Sequence, residues 1–125
     1  MQVKSKVWLD ERGMPIFGSG KCRILRAVAE TGSLNKAATK LGMSYRHAWS
    51  TIRAAEQRLG EPLLHRQRGG QQGGGAQLTE YAEALTQRFE ELDRDVCAYT
   101  NMRFEELWGR RSARGKKVNR RKKRS

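Results

Sequence analysis

Arg46, His47, Ser50 and Arg53 are the residues best suited to chemistry in this chain, and that chemistry would be hydrogen bonding to a polar or anionic partner. Arginine presents a planar fork of donors that pairs bidentately with guanine or phosphate, and imidazole and hydroxyl groups bond base edges or backbone oxygens. These four positions interleave with Ala48, Ile52, Ala55 and Leu59, which recur at four, three and four residues. That recurrence describes one buried stripe on a helix, so the polar four fall on the opposite side. Ser44 stands in front as an N-cap, and Gly60 followed by Pro62 ends the helix. Tyr45 and Trp49 lie between the two faces, as anchors packed at the helix edge or as base readers. An ordinary solvated helix would also carry charges on its outer face, so the reading depends on the elements around it.

Those elements agree with one another. Leu34, Ala37, Ala38 and Leu41 form the inner face of a short preceding helix that Ser33 can cap, and its small alanines permit close approach to neighbours. Gly42 supplies the turn between the two helices. Two helices so joined predict a helix-turn-helix, with the second helix, 44–59, in the major groove of double-stranded DNA. After Pro62, Leu63 to Arg68 reads as a strand and Ala76 to Leu78 as its partner. Five glycines fall within Gly69–Gly75, too many for a helix because each costs backbone entropy. Arg66 and Arg68 flank this tip, and Gly70, Gly73 and Gly74 leave its backbone bare enough to approach phosphate or enter the minor groove. The alternative is a plain flexible hairpin tip. A hairpin in this place is a wing.

Upstream, Val3 to Leu9 alternates as a half-buried strand would, Asp10 to Gly13 reads as a turn, and Met14 to Phe17 as a return strand that Pro15 confines to an edge. Gly18-Ser19-Gly20-Lys21 opens a helix carrying Ile24, Leu25 and Val28, which Gly32 closes. Thr79 caps the last helix, whose Tyr81, Leu85, Phe89, Leu92, Val96 and Tyr99 follow at spacings of three and four. A seam of that kind wants a partner helix, and a second copy of the chain is the expected one. The predicted organisation is a DNA-binding domain over 1–78, a dimerisation helix over 79–108 and a disordered basic tail over 109–125. The fold class is mainly α with small β.

Charge is distributed to match. Residues 1–78 carry 13 basic and 5 acidic groups, residues 79–108 carry 3 and 8, and residues 109–125 carry 10 basic and none acidic. The first and third segments would attract a polyanion, and the acidic middle would point away from it. Ala113 and Val118 are the tail's apolar residues, too few to insert into a membrane. No signal peptide or membrane span is visible, so the expected location is cytoplasmic and nucleoid-associated.

Other chemistries find little support. Gly13-x4-Gly18-Ser19-Gly20-Lys21 departs from a phosphate-binding loop, since lysine does not follow the second glycine and Cys22 stands where serine or threonine is required. Cys22 and Cys97 are read as buried thiols rather than a disulfide, and His65 as an ordinary surface histidine. No metal site, cofactor or catalytic constellation is expected, and the chain is not read as an enzyme.

Several stretches carry a family resemblance. Phe17-Gly18-Ser19-Gly20-Lys21, Thr31 to Ala38, Met43-Ser44-Tyr45-Arg46-His47-Ala48-Trp49 and Gly69 to Thr79 resemble the N-terminal winged-helix domain of ModE-type molybdate-responsive regulators. Leu59-Gly60-Glu61-Pro62-Leu63-Leu64 is similar to the LysR-type core. The resemblance covers about residues 3 to 100. It implies a homodimeric DNA-binding transcription regulator, with the third helix in the major groove and the long last helix at the dimer interface. Ala82 replaces a glycine common in that family, and Glu56 an asparagine. Full-length members carry C-terminal oxyanion-binding domains of small β-barrel type. Seventeen residues follow Trp108, so the chain is expected to lack those domains. The alternatives are a nonspecific nucleoid-type binder and a molybdate- or tungstate-linked interaction module, and a small-molecule effector stays open.

Overall fold

In the computed structural model, which describes residues 1–66 and 75–109, the chain opens with an antiparallel hairpin of β1 (Trp8–Glu11) and β2 (Met14–Gly18). Its two turn residues, Arg12 and Gly13, both have positive φ, 53° and 80°, the combination whose twist suits a two-residue hairpin. The strand expected over Val3 to Leu9 instead begins at Trp8. Trp8 pairs with Gly18, the last residue of β2, and a helix begins at the next residue, so the ladder ends there.

Three helices follow: α1 (Ser19–Thr31), α2 (Leu34–Leu41) and α3 (Tyr45–Leu59). Helix α1 sits at the centre, packed against α2, α3 and β2 and against the second wing strand, Ala76–Leu78. It buries Cys22, Ile24, Leu25, Ala27 and Val28. The core is completed by Phe17, by Leu34, Ala37 and Ala38 of α2, and by Ala48, Ile52 and Ala55 of α3. Alanine at five of these positions lets the helices lie close, as the sequence implied for α2. Each helix ends on a left-handed glycine, as the sequence placed them. At Gly42 (φ 74°) an added Cβ would meet nothing, so the cost of Gly42→Ala is backbone conformation alone. We expect that substitution to lower stability by about 1 kcal/mol, read as a lower urea midpoint at unchanged slope.

Strands β3 (Leu64–Arg66) and β4 (Ala76–Leu78) pair antiparallel, Leu64 opposite Leu78 and Arg66 opposite Ala76. The Ala76 N–H donates to the Gly32 carbonyl at 2.9 Å, fastening β4 to the turn between α1 and α2. Leu63, Leu64, Ala76 and Leu78 face the core. Gln67 to Gly74, including Arg68, Gly70, Gly73 and Gly74 of the expected tip, lie outside the described residues.

Helix α4 (Glu80–Phe104) starts at Thr79, whose hydroxyl accepts from the Ala82 N–H at 3.0 Å and donates to the Pro62 carbonyl at 2.9 Å. Glu80 and Glu83 occupy its first turn, where carboxylates suit the positive end of the helix dipole. The described residues divide into two compact units, Val7–Glu90 and a second comprising Met1–Lys6 with residues 91–109. In the first, Glu90 takes a two-pronged ion pair from Arg26, Nε at 2.8 Å and Nη2 at 2.7 Å, which holds the guanidinium above its ordinary pKa. Ala82 and Thr86 are fully buried there.

Phe89, expected on the dimer seam, is 4 % exposed and meets Phe17 edge to face, ring centroids 5.4 Å apart. Its place on the helix is explained by the core of its own chain. In the second unit the helix gives way at Glu105 to a π-helical turn, Glu105–Gly109, with Trp108 tilted against Phe104. The continuous helix therefore stops four residues before the expected Trp108. Cys22 is buried as anticipated, whereas Cys97 is exposed.

Candidate nucleic-acid interface

Local hydrogen bonds set where the two helices of the turn begin and end. The Ser33 hydroxyl accepts from the Lys36 N–H at 3.1 Å, starting α2. The Gly42 and Met43 N–H groups return to the Thr39 and Ala38 carbonyls at 3.1 and 2.9 Å, closing it. The Ser44 hydroxyl then accepts from the His47 N–H at 3.0 Å and starts α3. Ser44, a sequence candidate for the interface, is thereby engaged as a cap, and its exposed position leaves it at the lip of the exposed face of α3.

Along α3 the two faces separate cleanly. Ala48, Ile52 and Ala55 are fully buried, while Arg46, His47, Ser50 and Arg53 are all exposed. The Ser50 hydroxyl donates to the His47 carbonyl at 3.2 Å, which leaves its lone pairs outward. Tyr45 is 47 % and Trp49 38 % exposed, so neither is an anchor sunk into the core. Arg53 lies 3.5 Å from Glu56, an exposed guanidinium beside a mostly covered carboxylate.

Sequence reasoning noted Glu56 only as a family departure. In the structure its Oε2 accepts the Leu63 N–H at 2.8 Å and the Leu64 N–H at 3.4 Å. It thus satisfies backbone donors where the chain leaves α3 and turns into β3. Glu56→Ala should cost about 1.5–3 kcal/mol, measured by chemical denaturation, since it orphans donors held by a charged acceptor. Sequence reasoning did not place Lys21 and Arg23 beside α3. They line a cleft of about 320 Å3 with Gly20, Met43, His47 and Thr51, beside the start of α3. Their separation in sequence from α3 gave no signal.

Of the wing candidates, Arg66 is exposed on β3, its guanidinium carbon 6.0 Å from the centroid of the Trp49 ring. His65, also exposed, pairs with Gln77 across the sheet. On α4, Tyr81 is exposed and Leu85 half-buried in the first unit; in the second, Leu92 and Tyr99 are 45 % and 61 % exposed and Val96 is half-buried. No described helix is long and apolar enough to cross a membrane.

A helix-turn-helix with this exposed basic face matches a known family model. Residues 20–83, about half of the chain, match the model for bacterial regulatory helix-turn-helix proteins of the lysR family. The chain belongs to that family. The match of this lysR-family chain runs from the start of α1 through the wing into the first turn of α4. Among its relatives, the transcriptional regulator ModE of Haemophilus influenzae is 40% identical over 74 residues, covering 59% of this chain and 29% of that protein. The transcriptional regulator ModE of Yersinia pestis is 39% identical over 92 residues, 74% of this chain and 32% of that protein. The chain thus spans about a third or less of the curated relatives it matches. Among solved structures, the BenM DBD in complex with benA site 1 DNA superposes with a TM-score of 0.55 at 27% identity, over 72% of this chain and 96% of that one. The winged-helix fold expected from the sequence is therefore shared with this family.

Proposed function

We propose that this chain is a sequence-reading, DNA-binding transcription regulator that works as a homodimer. The observation that carries the reading is the division of α3: Arg46, His47, Ser50 and Arg53 stand exposed on a helix whose other side is locked into the core by Ala48, Ile52 and Ala55. A helix so mounted presents donors at fixed positions, which is what major-groove readout requires. That a solved domain of similar fold, 27% identical, was crystallised in complex with DNA supports a duplex as the partner. The wing, Arg66 with Arg68 and the glycines Gly70, Gly73 and Gly74, engages phosphate or the minor groove. The dimer forms through the apolar seam of α4, with the exposed Leu92 and Tyr99 among its members.

The test is binding-site selection from random duplexes with the purified protein, followed by footprinting. The expected product is a pseudo-palindrome whose half-sites lie about one helical turn, ~34 Å, apart. Recovery of duplexes without any shared sequence would instead mark a nonspecific, charge-driven binder.

A further inference from the structure

The first wing strand is tied to the recognition helix at two points. At one end Glu56 accepts the N–H groups of Leu63 and Leu64. At the other the Arg66 guanidinium lies over the Trp49 ring, 6.0 Å from its centroid. Trp49 and Glu56 are seven residues apart on α3, about two helical turns, and so share one side of it. From Leu63 to Arg66 the strand therefore runs back along the helix toward its N-terminal half, where Arg46, His47 and Ser50 stand.

This juxtaposition bears on what Trp49 is for. A large ring 38 % exposed on a recognition helix could itself stack on the duplex. Here one of its sides is already occupied by a cation. A free arginine samples many rotamers and loses that freedom when it grips a phosphate or a base edge. A guanidinium held over an indole face is ordered beforehand, and the attraction is electrostatic. We propose that Trp49 is a positioning residue that acts on DNA through Arg66, so that recognition helix and wing meet the duplex as one preset surface.

The inference rests on the proposed DNA-binding function, and its test separates the two. Affinities for the selected duplex are measured for the full chain and for Trp49→Leu, Arg66→Ala and the double variant, with Trp49→Phe as the conservative change. Trp49→Leu is expected to weaken binding by about three- to tenfold in the parent and by less than about twofold when Arg66 is already alanine. Trp49→Phe, which keeps a ring, should recover most of the loss, and thermal stability should not follow this pattern. A DNA-free arm uses the Trp8→Phe, Trp108→Phe background, in which Trp49 is the sole indole: Arg66→Ala should shift its emission. An equal loss from Trp49→Leu in both backgrounds, no loss at all, or emission indifferent to Arg66 would overturn the inference. If the parent selects no duplex, the proposed function fails and the positioning role fails with it, whereas the emission shift still reports the stack.

Discussion

Replacing Arg46 and Arg53 together by alanine lowers affinity for the selected operator by about a hundred- to a thousandfold and leaves the melting temperature nearly unchanged. Each arginine that reaches a base contributes about 1–3 kcal/mol of discrimination, and every 1.4 kcal/mol is about tenfold. Stability is spared because both side chains are exposed, and Glu56, 3.5 Å from Arg53, keeps its bonds to the Leu63 and Leu64 N–H groups when Arg53 is removed. Nonspecific affinity falls less, and its dependence on salt becomes shallower by about 0.9 per phosphate contact removed. Electrophoretic mobility shifts on operator and scrambled duplexes at one salt concentration give both quantities. If operator affinity survived the double substitution, α3 would not be the reading helix.

Phe89→Ala produces the opposite pattern, a large loss of stability that does not depend on protein concentration. Phe89 is nearly fully buried against Phe17, which is itself 1 % exposed and joins β2 to the start of α1. Removing a buried phenylalanine costs about 3–5 kcal/mol through lost transfer energy and the cavity left behind. For a compact unit of this size each kcal/mol lowers the melting temperature by roughly 4–8 °C, so a fall of more than about 12 °C is expected. Thermal melts at two concentrations a hundredfold apart decide the matter. A loss that vanished at the higher concentration would return Phe89 to the dimer seam, where sequence periodicity alone had put it.

That case shows what a single chain's pattern can and cannot say. The seam Tyr81–Leu85–Phe89–Leu92–Val96–Tyr99 is continuous in sequence, yet its members have different surroundings, Phe89 covered by Phe17 and Tyr99 mostly open. Periodicity identifies the apolar face of a helix without naming what covers it. Helix α3 was legible because its buried alanines and isoleucine and its exposed arginines alternate at a period only a helix has. The caps Ser33, Ser44 and Thr79 were legible for the same local reason, each bonding an N–H three residues on. Hidden instead were the long-range partners: Glu56 under β3, Arg26 with Glu90, and Arg66 over Trp49. None has a spacing signature, because each joins elements that meet only after the chain has folded. Strand limits were missed for a similar reason, since β1 starts at Trp8, opposite Gly18 at the end of β2.

The most direct measurement is the ratio of the unmodified protein's affinity for its selected duplex to its affinity for unrelated DNA of the same length, at one fixed salt concentration. Readout by the exposed face of α3 predicts a ratio of about a thousandfold or more. A ratio near one would mean that charge alone holds the protein on DNA, and the assignment of Arg46, His47, Ser50 and Arg53 as readers would be wrong.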